Sequence, residues 1–89
     1  MNTLKNIFLG KKILIYGLGK SGLSTYKFLK NKAKLYLFDD NSKTKFQIIE
    51  LEKVLKTNFD IIVVSPGIDI SNCKLSKFLK KNFLKIYTD

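Results

Sequence analysis

Short apolar runs alternate along the chain with longer segments in which apolar residues recur at helical spacing. The runs are KILIY (12–16), KLYLFD (34–39), DIIVVS (60–65) and LKIYT (84–88). Their residues are β-branched or aromatic and almost continuously apolar, which is typical of strands buried on both faces of a parallel sheet. The pattern therefore predicts four parallel strands.

Three segments between these runs have the pattern of amphipathic helices. They span residues 20–32, 42–57 and 71–82, with apolar side chains three or four positions apart and lysines between them. Ser42 and Ser71 begin the second and third segments, where a serine side chain can cap a helix. The order is βαβαβαβ, and right-handed crossovers then give an α/β, Rossmann-like parallel sheet with helices on both faces.

Length and composition indicate one small folded domain over residues 1–89. The chain is 45% hydrophobic, which is enough for a core and argues against disorder. No apolar run reaches the ~20 residues of a membrane span, and the first twelve residues do not resemble a secretion signal. The single cysteine, Cys73, and the lack of histidine leave no internal disulfide or metal cluster. We expect a cytoplasmic protein.

The formal net charge of +10 raises the possibility of a nucleic-acid partner. All 17 basic residues are lysine, however, and the chain contains no arginine. Because arginine is the usual reader of guanine edges and the usual bidentate phosphate clamp, its absence argues against specific nucleic-acid binding. We expect the lysines to lie on solvated helix faces.

The GLGKSG loop after the first run is the main candidate for ligand binding. Gly17 permits a sharp exit from the strand, Gly19 lets a phosphate approach the backbone, and Gly22 lets the helix lie close to the sheet. Lys20 and Ser21 add a cation and a hydroxyl at the helix start, where backbone N–H groups favour an anion. The loop predicts nucleotide or phosphate binding, with a tight turn that binds nothing as the alternative.

Acidic residues follow the second predicted strand. Asp39 stands where the ribose-binding acid of a dinucleotide site is found, although a cap on the next helix is an alternative interpretation. Asp40 is interpreted as a solvated turn residue, and Asn41 continues this polar turn.

The third predicted strand ends in SPGID, residues 65–69. Pro66 keeps Ser65 extended, and Gly67 lets a ligand approach the backbone. The ends of the first and third strands adjoin the edge where open α/β sheets bind ligands, so this turn is a second candidate wall of the site. Asp69 is interpreted as a charge at a helix start rather than a ligand. The chain contains no recognisable catalytic residues.

Taken together, GLGKSGLS, FDD and DIIVVSPGI resemble the N-terminal domain of the Mur ligases, in particular of those that add D-glutamate to UDP-N-acetylmuramoyl-L-alanine. The resemblance covers essentially the whole chain. It implies the first of three domains of a peptidoglycan-synthesising ligase, which holds the UDP part of the substrate. ATP and Mg²⁺ would then belong to the rest of the parent enzyme, with no cofactor in this domain.

The resemblance also implies site residues in three groups. The glycine loop would contact the diphosphate, the acidic segment would hold the uracil and ribose, and the third segment would flank the nucleotide. The residues are Gly19, Lys20, Ser21, Gly22, Asp39, Asp40, Asn41, Ser65, Pro66 and Gly67. Lys20 and Asn41 depart from the family's usual residues.

The partner implied is UDP-N-acetylmuramoyl-L-alanine, bound by a monomer, with no nucleic acid and no membrane. An alternative is a domain of an oxidoreductase or regulator that binds NAD or senses a nucleotide.

Overall fold

The structure is a computed structural model that describes residues 8–40 and 48–88. Strands and helices alternate through these residues. In chain order they are β1 (Lys12–Tyr16), α1 (Lys20–Leu29), β2 (Lys34–Phe38), α2 (Leu51–Lys56), β3 (Ile61–Val64), α3 (Ser76–Lys81), a 3₁₀ helix (Phe83–Lys85) and β4 (Ile86–Thr88).

The four strands form one parallel sheet in the order β2-β1-β3-β4. Tyr16 at the end of β1 pairs in register with Phe38 of β2 on one side and with Val64 of β3 on the other. The chain passes from β1 outward to β2 and then crosses to β3 on the other side of β1. The carboxyl ends of β1 and β3 therefore form the switch point where open α/β sheets bind ligands.

The central strands β1 and β3 are buried on both faces of the sheet. Side chains along each strand point alternately to one face and the other. Ile13 and Ile15 pack on the same face as Leu29 of α1, whereas Leu14 and Tyr16 point to the opposite face. That second face is covered by residues of α2 and α3, namely Val54, Phe78 and Leu79. The predicted α/β, Rossmann-like parallel sheet with helices on both faces is confirmed.

All three helices are shorter than the sequence pattern predicted. The second begins at Leu51 rather than residue 42. Residues 48–50 are not helical, and the Ile49 N–H donates to the Leu37 carbonyl at 2.9 Å. The predicted cap Ser42 lies outside the described residues. The first helix ends at Leu29 rather than residue 32, and the Lys32 carbonyl then accepts a hydrogen bond from the Gly10 N–H at 2.8 Å.

The predicted start of the third helix at Ser71 is wrong. The Ser71 N–H donates to Asp69 Oδ1 at 3.0 Å, and the Asn72 side-chain amide donates to Asp69 Oδ2 at 2.9 Å. Both hydrogen bonds lower the pKa of the Asp69 carboxyl, and the bond from the Asn72 amide has the larger effect. Asp69 thus folds residues 69–72 into a turn that competes with helix formation, and α3 begins only at Ser76.

The last strand is also shorter than predicted. Residues 83–85 form a 3₁₀ turn in which the Lys85 N–H donates to the Asn82 carbonyl at 2.9 Å, so β4 begins at Ile86. No helix in residues 8–40 or 48–88 is long and apolar enough to cross a membrane.

Candidate nucleotide-binding site

A cleft of about 390 Å³ lies at the carboxyl ends of β1, β2 and β3. All three segments singled out in the sequence contribute to its wall. The lining residues are Gly17, Leu18, Gly19, Lys20, Asp39, Asp40, Ser65, Pro66, Gly67 and Ile68. Of the other predicted residues, Gly22 is buried beside the cleft, the Ser21 side chain is not described, and Asn41 lies outside the described residues.

The glycine loop is held by hydrogen bonds to β2 and to the residue after it. Gly17 has φ +97, in the left-handed region that favours glycine, and its N–H donates to the Phe38 carbonyl at 2.9 Å. The next N–H, of Leu18, donates to Asp39 Oδ2 at 2.7 Å. Asp39 does not cap α2, whose cap position is Glu50. Its carboxylate instead holds the glycine loop in place at the edge of the cleft.

The other two glycines of the loop have different surroundings. A Cβ on Gly19 would have nothing within 4 Å, and its φ of −77 is open to any residue. A Cβ on Gly22 would lie 1.9 Å from the Gly17 carbonyl oxygen. Gly19 therefore leaves the cleft open to a ligand, while Gly22 lets α1 pack against the end of β1.

The N-terminus of α1 faces the cleft without a protein cap. Gly19 occupies the cap position with no side-chain hydrogen bond, and the first turn contains no acidic residue. The first bond within the helix runs from the Leu23 N–H to the Gly19 carbonyl at 3.0 Å. The N–H groups of residues 20–22 thus lack a helical acceptor, and the positive end of the helix dipole and Lys20 both favour an anion at this position.

The turn after β3 is tied to the glycine loop through Ser65. Its N–H donates to the Tyr16 carbonyl, and its Oγ donates to the Gly17 carbonyl, both at 3.0 Å. The Ile68 N–H donates back to the Ser65 carbonyl at 3.1 Å and closes a turn over Pro66 and Gly67. Both of these residues are exposed on the cleft wall. Ser65 therefore fastens the two walls of the cleft to each other.

Asp40 is exposed but is not simply a solvated turn residue. The Tyr16 hydroxyl donates to Asp40 Oδ1 at 2.6 Å. The Lys74 ammonium donates to the Asp40 carbonyl at 3.1 Å, and the Lys74 N–H lies 3.5 Å from Oδ2. Burial, and then the bond to Asp40, raises the pKa of the Tyr16 phenol above its ordinary value, so the phenol stays protonated and donates.

Sequence reasoning missed Tyr16, Leu18, Ile68 and Lys74. Ile68 and Leu18 are apolar residues inside motifs in which the glycines are the stronger signal. Tyr16 had a usable signal, because a tyrosine ending a buried aliphatic strand needs a partner for its hydroxyl. Lys74 had none, since its contact with Asp40 spans 34 positions of sequence.

Replacing Asp39 with alanine is expected to lower the free energy of unfolding by about 1–3 kcal/mol. The reason is that the buried Leu18 N–H loses its charged acceptor. Urea denaturation measures this change. The control is Asp69→Ala, which removes an exposed carboxylate bonded only within its own turn and should lower the free energy of unfolding much less. Equal effects of the two substitutions would contradict the role of Asp39.

Residues 11–86 match the family model described as Mur ligase MurD-like, N-terminal domain. This chain belongs to that family. The matched residues include every residue that lines the cleft, and the resemblance predicted from the sequence is confirmed.

Curated relatives of this MurD-like domain are UDP-N-acetylmuramoylalanine--D-glutamate ligases. The protein from Rickettsia prowazekii is 37% identical over 76 residues, covering 75% of this chain and 17% of the relative. The one from Lachnoclostridium phytofermentans is 34% identical over 77 residues, covering 68% and 17%. The one from Ligilactobacillus salivarius is 34% identical over 94 residues, covering 90% and 20%. The chain thus spans no more than 20% of the length of these relatives. No solved structure matches.

Proposed function

We propose that this chain is the UDP-binding N-terminal domain of a UDP-N-acetylmuramoylalanine--D-glutamate ligase. Residues 1–89 would form the first of three domains in the parent enzyme. They would anchor the UDP part of UDP-N-acetylmuramoyl-L-alanine while D-glutamate is added at the expense of ATP during peptidoglycan synthesis. The observation that carries the proposal is the cleft at the β1–β3 switch point, whose wall contains the three motif segments of a MurD-like domain.

The distribution of charged groups along the cleft is consistent with a bound nucleoside diphosphate, because positive groups lie at one part of the cleft and carboxylates at another. The open N-terminus of α1, with Gly19 and Lys20, suits the anionic diphosphate. Asp39 and Asp40, at the end of β2, offer carboxylate oxygens to the N–H and O–H groups of a base and ribose. The turn over Pro66 and Gly67 forms the opposite wall.

The remaining predicted residues have different parts in this proposal. Gly22 supports the site indirectly by letting α1 approach β1, whereas contacts from Ser21 and Asn41 stay predictions. The wall also includes Leu18 and Ile68, which provide apolar surface for the ligand.

ATP and Mg²⁺ belong, in this proposal, to the other domains of the parent enzyme. Within the described ranges, no group of three or more His, Cys, Asp or Glu side chains is arranged to hold a metal ion. The part that we propose for this domain is to hold the substrate. The cytoplasmic location, the monomeric state and the absence of a nucleic-acid partner stay predictions.

An NMR titration of the isotope-labelled 89-residue chain tests the proposal. UDP-N-acetylmuramoyl-L-alanine and UDP should shift the amide signals of Gly19, Lys20, Asp39 and Gly67, while NAD at the same concentration should not. The amide of Asp60, at the opposite edge of the sheet, serves as an internal control. A preference for NAD would support a dinucleotide-binding domain instead, and no response to either uridine ligand would contradict the proposal.

A further inference from the structure

Tyr16 places a hydroxyl in a part of the core that is otherwise apolar. Of the four tyrosines in the chain, only Tyr16 is buried, at 0% exposure on the central strand β1. Its ring packs against Phe38 with the centroids 5.7 Å apart, a contact that phenylalanine would make equally well. Burying a hydroxyl costs free energy unless it is hydrogen-bonded, and here its acceptor is Asp40 on the cleft wall.

Lys74 holds the same aspartate from the other side. It lies in the segment between β3 and α3, and its ammonium donates to the Asp40 carbonyl at 3.1 Å. Asp40 is itself exposed and follows β2 by two residues. The Lys74 ammonium fixes its backbone, while the Tyr16 hydroxyl and the Lys74 N–H, 3.5 Å from Oδ2, restrain its carboxylate. The hydrogen bonds connect three strands of the sheet at this one residue, since Tyr16 ends β1, Asp40 follows β2 and Lys74 follows β3.

We propose that Tyr16 and Lys74 are positioning residues that fix Asp40 as a hydrogen-bond acceptor for the nucleoside part of the ligand. This inference rests on the proposed function. The Tyr16 hydroxyl takes one lone pair of Oδ1, and the carboxylate of Asp40, which lines the cleft, keeps other acceptor positions. An acceptor held in one orientation loses little conformational entropy when a ligand N–H or O–H binds to it. The ligand class is a nucleotide that presents such a donor at the end of β2.

The first test needs no ligand. Tyr16→Phe removes the hydroxyl and keeps the ring, so the fold should persist. The ¹³C chemical shift of the Asp40 side-chain carboxyl should change in this variant. The matched control is Tyr36→Phe on the neighbouring strand, because the Tyr36 hydroxyl makes no hydrogen bond within the part of the chain that the structure describes, and its ring packs on Phe59. A carboxyl shift that is unchanged in Tyr16→Phe overturns the inference.

The second test is a double-mutant cycle read by UDP affinity. Tyr16→Phe should weaken UDP binding about fivefold to tenfold, and Tyr36→Phe should leave it unchanged. In an Asp40→Ala background, Tyr16→Phe should have no further effect, because a positioning residue acts through its partner. Equal losses in both backgrounds would assign Tyr16 to the general stability of the fold and overturn the inference.

Lys74→Met tests the second positioning residue, because it removes the ammonium that donates to the Asp40 carbonyl. It should weaken UDP binding, whereas Lys77→Met, on the exposed side of α3, should not. Equal affinities of Lys74→Met and the wild type would remove Lys74 from the positioning role.

If the wild-type chain does not bind UDP, the proposed function fails. The chemical shift of the Asp40 carboxyl, measured without ligand, still decides whether Tyr16 positions Asp40.

Discussion

Replacing Gly22 with alanine is expected to destabilise this domain more than any other single methyl addition to the glycine loop. The added Cβ would lie 1.9 Å from the Gly17 carbonyl oxygen and 3.0 Å from its carbonyl carbon. Both atoms belong to the backbone, so no side-chain rotation can relieve the overlap, and α1 must move away from β1. Overpacking of this kind costs about 3 kcal/mol or more, which lowers the melting temperature of a domain this size by roughly 12 °C or more.

Gly19→Ala is the matched control for Gly22→Ala, because it adds the same methyl group three residues earlier. A Cβ at Gly19 has nothing within 4 Å, and its backbone is not in the left-handed region. Thermal and urea denaturation of both variants should therefore show a near-native Gly19→Ala domain and a strongly destabilised or insoluble Gly22→Ala domain. Similar stabilities for the two variants would show that α1 is not packed tightly on the end of β1.

The first three strands could be predicted closely from the sequence, and the two central ones, β1 and β3, are buried on both faces. A strand of this kind is almost continuously apolar, and β1 matches the predicted run at both ends. β2 and β3 lose only the flanking Asp39, Asp60 and Ser65, each of which has its polar side chain in a hydrogen bond. The alternation of strands and helices along the chain also agrees with the prediction, whereas the strand order within the sheet, β2-β1-β3-β4, is known only from the structure.

The ends of the helices were predicted less well than the ends of the strands. Turns next to the helices also place apolar residues on the core, and these residues happen to continue the helical spacing. Ile70 and Cys73 pack against the core from the turn before α3, at spacings that fit a longer helix. Ser71 is a good cap residue by type, but the neighbouring Asp69 takes its N–H. Such competition between two local hydrogen-bonding options depends on tertiary packing, which periodicity does not report.

The location of the cleft could be predicted from the sequence, but the contacts that several of its residues make could not. Position follows from topology, since the glycine loop, Asp39 and the turn after β3 come at the same edge of a parallel sheet. The roles depend on contacts between distant residues, such as Asp39 with Leu18 and Asp40 with Tyr16. Asp39 therefore serves as a support of the glycine loop in addition to its predicted place in the ligand site.

These contacts also show how a small domain can keep a binding cleft rigid. Each wall is fastened to another by at least one hydrogen bond, from Leu18 to Asp39, from Ser65 to Gly17 and from Tyr16 to Asp40. A cleft fixed in this way loses little conformational entropy when a ligand binds. Gly19 also lines the cleft, and a Cβ there would have nothing within 4 Å, so a side chain at this position should interfere with the ligand without weakening the fold.

Gly19→Val is accordingly expected to abolish or strongly reduce binding of UDP and of UDP-N-acetylmuramoyl-L-alanine while the domain remains folded. The branched side chain would project into the space in front of the α1 N–H groups, where the proposed diphosphate lies. Losing one or two hydrogen bonds to a charged ligand weakens affinity by about tenfold to a hundredfold or more. NMR titration measures the affinity, and the amide spectrum of the free protein reports the fold.

The control for Gly19→Val is Ser24→Val, which introduces the same side chain at an exposed position of α1 that does not line the cleft. The UDP affinity of Ser24→Val should equal that of the wild type. A loss of affinity in Gly19→Val would then be due to the position of the valine in the cleft and not to its size or its low helix propensity. Gly19→Ala should fall between the two, because a single methyl group fills less of the cleft. An undiminished affinity in Gly19→Val would place the diphosphate away from the start of α1, and the nucleotide would then have to lie along the opposite wall, over Pro66 and Gly67.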